Sequence, residues 1–293
     1  MKKLWALAAT AVLGAALLLT GCGNDSNKAA SDSNTIVVGA TPVPHAELLE
    51  QVKPILEKEG IKLEIKEFND YNTPNAALNE KEIDANFFQH QPYLDEWNAS
   101  NKAHLVSAGG VHIEPMGIYS HSIKNVNELA NGAKVAIPND PSNGGRALLL
   151  LQNLGLITLK DGVSVKSTVA DITSNPKNLQ FVELEAAQLP RSLDDVAAAV
   201  INTNFAIKAD LNPTKDAIAI EGNDSPYVNI VVVRDGEQNN PKIQKLIAAL
   251  QTPEIKQFIQ DKYQIQNNLI FDKYFHNIFQ LGYYQQKLNI LSP

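Results

Sequence analysis

The 293 residues include one cysteine, Cys22. No disulfide can therefore form within the chain, and no C-x-x-C redox or zinc pattern is possible. No basic run occurs, and the net charge is -7. An acidic body of this kind argues against a nucleic-acid partner. The G-x-S-x-G elbow of α/β-hydrolases, the H-E-x-x-H helix of metalloproteases and the G-x-x-x-x-G-K-[ST] phosphate loop are all missing. His90, His104, His112 and His121 are spaced so that no two share a helix face as metal ligands, and no cysteine assists them. This leaves no cofactor or metal to expect. No internal repeat is present, and only one apolar run is long. The next, Ala147–Leu151, is far short of the about 20 residues a membrane span needs.

That one run begins the chain. Lys2 and Lys3 precede Leu4–Leu19, which leads into Thr20-Gly21-Cys22. A charged segment, then an apolar one, then small residues is the layout of a secretory signal. Ending in cysteine, it resembles a bacterial lipobox. The resemblance implies cleavage before Cys22 and acylation of its thiol and new amino group. An uncleaved anchor helix is the alternative, and the run is short for one. Residues 1–21 are thus read as signal peptide. Residues 22–34, rich in Asn, Ser, Asp, Lys and Ala without apolar periodicity, are read as a flexible tether. Two or more acyl chains hold stably, at about 0.8 kcal/mol per buried CH₂. The first 21 residues carry two lysines and no acid, so the body beyond them is more acidic still.

With 44% hydrophobic and 19% charged residues, that body has the makings of a packed core. Ile36–Ala40 is an apolar strand. Leu48, Leu49, Val52, Ile55 and Leu56 share one face of a helix that ends near Gly60, with Pro54 expected to kink it. Ile61, Leu63 and Ile65 alternate as a strand. Strand, helix and strand at this spacing predict a βαβ unit and a parallel sheet. A helix start at Asn72-Thr73-Pro74, a strand over Ile83–Phe88 and a helix over Pro92–Trp97 follow. His104–Tyr119 is strand-rich, interrupted by Gly109-Gly110. After a short helix at Val126–Gly132, the strand Lys134–Pro138 leads through Asn139–Gly145 into a helix, Arg146–Leu154, ended by Gly155. Strands are expected at Leu179–Leu184, Ala197–Asn202 and Val228–Val233, with Gln188–Asp195 helical. Ile243–Leu250, Glu254–Tyr263 and the tail beyond read as mostly helical. The fold class is α/β: a two-lobed, periplasmic-binding-protein-like body with a cleft between lobes joined by two crossover segments. Lobe I takes residues 35–117 plus 226–293, and lobe II takes 118–225.

Ligands of open α/β sheets sit beyond the carboxyl ends of strands, where the candidate chemistry gathers. Asn139–Arg146 reads as an anion site: glycines for close backbone approach, a helix start with free N–H groups, and the planar fork of Arg146 suited to a carboxylate. A plain helix start beside an exposed arginine is the bland alternative. Tyr71, Phe87, Phe88, His90 and Tyr93 cluster at early strand ends. Successive side chains alternate, so Phe87 and Phe88 cannot both face one core. An aromatic wall favours an apolar or sulfur-containing side chain; ordinary core packing explains the same residues. Asn202 and Asn229 could accept hydrogen bonds from an ammonium group, or merely cap turns.

These residues resemble the NlpA lipoproteins. The matching stretches are Val37–Pro42, Phe68–Tyr71, Asp84–His90, Pro138–Arg146, Val200–Asn204 and Tyr227–Asn229, running from the lipobox through most of the chain. Phe205 stands where tyrosine is as readily expected. The resemblance implies a substrate-binding component of a methionine ABC importer, with a permease and its ATPase as partners. It implies that Arg146, with Asn143 nearby, holds the ligand carboxylate and that Asn202 and Asn229 contact the amino and carboxylate groups. Tyr71, Phe87, Phe88, His90 and Tyr93 would enclose the thioether. The expected protein is no enzyme. It is a lipid-anchored receptor on the cell or outer membrane, facing the periplasm or the exterior, for methionine, most simply L-methionine. A methionine-containing dipeptide, D-methionine or another small apolar amino acid are alternative ligands. A lipid-anchored hydrolase using Ser142 or a histidine is the alternative from another class.

Overall fold

The computed structural model describes residues 34–162, 164–222 and 226–263. Cys22, the signal segment, nearly all of the spacer and the Tyr-, Phe- and Gln-rich tail lie outside them. The chain starts with β1 (Thr35–Ala40), an irregular helical turn over Pro42–Ala46 and α1 (Glu47–Lys58). α1 buries Leu48, Leu49, Val52 and Leu56, the spacing of one helical face. Pro54 stands on its exposed side, and the helix runs on through it as one element. Gly60 ends it: the Ile61 amide reaches Leu56 O at 2.9 Å and the Gly60 amide reaches Glu57 O at 3.0 Å, the paired bonds of a Schellman cap.

β2 (Lys62–Glu67), α2 (Thr73–Asn79), β3 (Ala85–His90), α3 (Gln91–Asn101) and β4 (Leu105–Ile113) complete the first pass. The chain then crosses to β5 (Gly117–Tyr119), β6 (Lys134–Pro138), α4 (Pro141–Asn153), the short pair β7 (Thr158–Leu159) and β8 (Ile172–Ser174), β9 (Gln180–Leu184), β10 (Ala198–Ile201), α5 (Thr203–Lys208) and β11 (Ala219–Ile220). It returns as β12 (Val228–Arg234), followed by α6 (Pro241–Leu250) and α7 (Pro253–Tyr263). Short 3₁₀ turns at Val126–Glu128, Val169–Asp171 and Ala186–Asp194 fill the second region.

Two five-stranded sheets result, in the orders β2-β1-β3-β12-β4 and β11-β5-β10-β6-β9. Both are mixed, where a parallel sheet was expected. β1 pairs parallel with β2 and β3, but β12 is antiparallel to β3 and β4. The reason is the return crossing: β12 starts where β3 and β4 end, so it must run against them. In the second sheet β10, β6 and β9 are parallel, β5 runs antiparallel to β10, and β11 runs antiparallel to β5 at the edge. α1 and α6 bury Leu48, Leu56, Leu246 and Leu250 against the first sheet. α4 buries Leu148 and Leu151 against the second. Each sheet is covered on its other face too, by Leu78 and Leu94 in one case and Leu189 and Phe205 in the other.

α4 begins at Pro141, five residues earlier than expected. Asp140 caps it, accepting the Asn143 amide at 2.9 Å and the Ser142 hydroxyl at 3.1 Å, with proline in the first turn. Aspartate followed by proline is a strong start signal. Gly144 and Gly145 are therefore helical, and their role is steric. A Cβ on Gly145 would lie 2.1 Å from Val165 O, and one on Gly144 would lie 2.8 Å from Pro138 O. Glycine lets neighbouring backbone lie directly on this helix.

Candidate ligand-binding site

The ends of both sheets face a common cavity lined by Tyr71, Phe88, Gln89, His90, Tyr93, Glu114, Asn143, Arg146, Asn202, Thr203 and Asn229. Tyr71 comes from the loop after β2, and Phe88 and His90 from the end of β3. Asn202 directly follows β10, and Asn229 opens β12. Asn229 sits beside His90 of β3 on one side and His112 of β4 on the other.

The aromatic wall is real but smaller than expected. The Tyr71 ring lies 5.8 Å from Phe88 and 5.7 Å from Tyr93, and the Tyr93 hydroxyl donates to Tyr71 O at 2.8 Å. Phe205 backs this wall, 4.8 Å from Tyr71. Phe87 does not line the cavity. Strand alternation turns it into the first core, edge-on to His45 at 4.6 Å. Only the second phenylalanine of the pair faces the cleft.

His90 caps α3. Its Nδ1 accepts the Tyr93 amide at 3.3 Å, so its Nε2 carries the proton and donates to Asn143 Oδ1 at 3.1 Å. Burial, reinforced by the Arg146 charge, lowers its pKa to about 3, which keeps the ring neutral. Asn143 Oδ1 also accepts Asn202 Nδ2 at 2.9 Å, and its own Nδ2 donates to Asp140 at 3.0 Å. Asn143 is thus fully engaged in positioning His90 and Asn202. Asn202 Oδ1 is buried and has no partner among the described residues.

The helix-start anion site is corrected. Asp140 takes the Asn143 amide, so the first turn of α4 carries a carboxylate of its own where a bound anion would sit. Burial raises the pKa of Asp140, against the bonds from Asn143 and Ser142. Nor is Arg146 an unencumbered fork. Its Nε and Nη2 hold Glu221 at 3.0 and 2.5 Å, and Nη2 also donates to Glu114 O at 2.8 Å. Its guanidinium stacks 4.0 Å over the Tyr227 ring. Nη1 alone has no hydrogen-bond partner among the described residues. Burial pushes the Tyr227 hydroxyl up to about 12.

A polar cluster that sequence reasoning did not anticipate lies beneath Asn229. His45 Nε2 donates to Asn229 Oδ1 at 3.0 Å, and its Nδ1 accepts from the Thr41 hydroxyl at 2.7 Å. His112 Nε2 donates to Glu114 Oε1 at 2.8 Å, and His45 Nε2 is 3.4 Å from the same oxygen. Burial lowers His45 to about 4. Burial alone would raise Glu114, but His45, His112 and Arg146 outweigh it and hold the carboxyl below its ordinary range. Histidine spacing gave no metal pattern, yet the fold brings one potential ligand atom each of His45, His112 and Glu114 within 4.8 Å of one another. His45 was not among the histidines weighed, and its partners are remote in sequence. Gln89, Glu114, Thr203, Glu221 and Tyr227 are the other site residues missed. A single Glu or Thr after a strand carries no pattern.

The lobes also touch across the cleft. Tyr71 donates to Asn204 at 2.5 Å, and Lys166 pairs with Glu96 at 2.9 Å. Two mixed sheets joined by two crossings, with a buried polar and aromatic cavity between their strand ends, define a solute-binding protein of the two-lobed class. Residues 36–270 match the NlpA lipoprotein family. The D-methionine-binding lipoprotein MetQ of Salmonella typhi is 47% identical over 256 residues, covering 86% of this chain and 93% of that protein. The methionine-binding lipoprotein MetQ of Bacillus subtilis is 42% identical over 273 residues, covering 90% and 97%. A nutrient-binding protein from Burkholderia cenocepacia, solved bound to methionine, superposes with a TM-score of 0.77 at 50% identity, covering 78% of this chain and 97% of that one. The chain belongs to the NlpA lipoprotein family.

Proposed function

We propose that this protein captures methionine in the cavity between its lobes and hands it to an ABC transporter permease, which its ATPase drives. The observation that carries this is the cavity itself. One end has an aromatic wall, the other a buried guanidinium and amides, and relatives at 42–50% identity are named for methionine binding or solved with it. Arg146 Nη1 and the Asn229 amide, whose Nδ2 has no partner among the described residues, receive the carboxylate. Asn202 Oδ1 accepts from the ammonium. Tyr71, Phe88 and Tyr93 enclose the thioether, while His90 and Asn143 keep the amide network in register.

The energetics fit a transport receptor. Burying the side chain is worth about 1.5–3 kcal/mol, and each hydrogen bond to a charged group about 1.5–3 kcal/mol. Immobilisation takes back several kcal/mol. A net affinity between micromolar and nanomolar, about -8 to -12 kcal/mol, therefore needs both sets of contacts. Closure follows hinge logic, with residues 118–225 as one lobe and 35–117 plus 226–293 as the other. Cys22 carries the acyl anchor at the end of the tether, on the cell or outer membrane. The protein has no reaction to catalyse. Among the described residues no helix is long and apolar enough to cross a membrane.

Denaturing the purified protein and identifying the released small molecule by mass spectrometry tests the reading. Methionine is the expected product. A methionine-containing dipeptide would move the ligand assignment, and turnover of an added ester or peptide would overturn the receptor role.

A further inference from the structure

Tyr71 stands in the loop between β2 and α2, so no regular element sets its ring. Its backbone is fixed locally. Asp70 accepts the Asn72 and Thr73 amides at 2.7 and 2.8 Å, and Tyr71 O accepts the Tyr93 hydroxyl at 2.8 Å. Its side chain is fixed from the other lobe. The Tyr71 hydroxyl donates to Asn204 Oδ1 at 2.5 Å, and the ring packs on Phe205 with centroids 4.8 Å apart. Asn204 and Phe205 are consecutive residues of α5. That helix is anchored in turn: the Thr203 hydroxyl donates to Pro115 O at 2.5 Å, and Phe205 is buried with Leu189, Leu193 and Ile201. Neither Asn204 nor Phe205 lines the cavity.

Phe205 instead lines an open groove, with Pro190, Arg191 and Lys208, that shares no lining residue with the cavity. The packed rings of Tyr71 and Phe205 therefore separate the two spaces. We propose that Phe205 sets the length of side chain that the cavity accepts. It touches no ligand; it holds the Tyr71 ring forward and so keeps the end of the side-chain pocket closed. A close-packed apolar pocket discriminates a single methylene by about 10- to 200-fold, because an extra methylene forces side chains off their rotamers. Without the Phe205 ring, Tyr71 yields towards the groove and a longer chain fits. Both partners of the Tyr71 side chain lie on α5, in the opposite lobe, so the length is read as the lobes meet. This rests on the reading above, in which the ligand side chain lies against Tyr71.

Calorimetric titration of L-methionine and of L-ethionine, which is one methylene longer, tests this. The wild type is expected to bind ethionine at least about tenfold more weakly. In Phe205→Ala that ratio should fall by about fivefold or more, and Phe205→Tyr, which keeps the ring, should retain it. The ratio is the readout because a general loosening of the fold weakens both ligands alike. A wild-type ratio below about tenfold, or a smaller fall in Phe205→Ala, overturns the proposal. Loss of the ratio in Phe205→Tyr as well would trace it to disturbance of the core and overturn it too. If Phe205→Ala does not fold, Phe205→Leu carries the same test, with a fall of about threefold or more expected. If the wild type binds another amino acid and not methionine, the methionine reading fails alone. That amino acid and its homologue with one more methylene then carry the test. Binding of no amino acid overturns both.

Discussion

Arg146 enters the cavity with most of its donors already placed. Glu221 and the Glu114 carbonyl fix the guanidinium, and the Tyr227 ring supports its face at 4.0 Å. A fork held this firmly loses little entropy on binding. Removing it should therefore cost more than trimming an aromatic. By calorimetry, Arg146→Ala or Asn229→Ala should weaken methionine binding by about 10- to 100-fold, and Phe88→Leu by about tenfold or less. Unchanged binding in Asn229→Ala would remove that residue from the site. The site residues differ in how legible they were. Arg146, Asn202 and the Tyr71–Tyr93 cluster stand in recognisable stretches after strands. The partition of Phe87 from Phe88 needed only the two-residue period of a strand, and only its direction had to come from the fold. Glu114 and His45 were invisible because their meaning lies in partners far along the chain.

At the scale of elements, long periodic segments were readable and short ones were not. α1, α6, β6 and β12 follow from apolar spacing and bounding glycines or prolines. The β7–β8 pair, β11 and α5 are two to six residues long, too short for a period to emerge. α4 was placed too late because two glycines suggested a loop. The Asp140 cap and Pro141 outweigh them, and the glycines serve close packing. Gly145→Ala gains about 1 kcal/mol of helix propensity. Its Cβ, however, falls 2.1 Å from Val165 O, and overpacking of that kind costs about 1–3 kcal/mol. Urea unfolding should show no gain and a net loss of up to about 2 kcal/mol. The displaced segment carries Lys166, the partner of Glu96. A more stable variant would mean that the 164–167 backbone yields easily.

For the molecule as a whole, the buried histidines set the response to acid. His45 falls from an ordinary 6.5 to about 4, and His90 from 6.5 to about 3, both by burial. Well above pH 6.5 neither state takes a proton, and stability is level. As pH drops below that, the unfolded chain binds protons that the folded chain refuses. Stability then falls by up to about 1.4 kcal/mol per histidine per pH unit. The decline continues to about pH 4 for His45 and about pH 3 for His90. Denaturant curves at pH 7 and pH 5 should differ by on the order of 3 kcal/mol, and the gap should narrow in His45→Gln. A flat profile would mean that the imidazoles reach water.

The lobes meet through His90–Asn143 at 3.1 Å and Tyr71–Asn204 at 2.5 Å, contacts that flank the cavity. On the proposed reading closure and ligand capture are one event, and bound solute should stabilise the fold by about 2.7 kcal/mol at a hundredfold excess over Kd. Titration of L-methionine into protein that has been unfolded and refolded to strip bound solute is the most direct test. One site per chain with micromolar or tighter affinity is the predicted result. No heat and no thermal shift at millimolar methionine, from protein shown to be refolded, would contradict it.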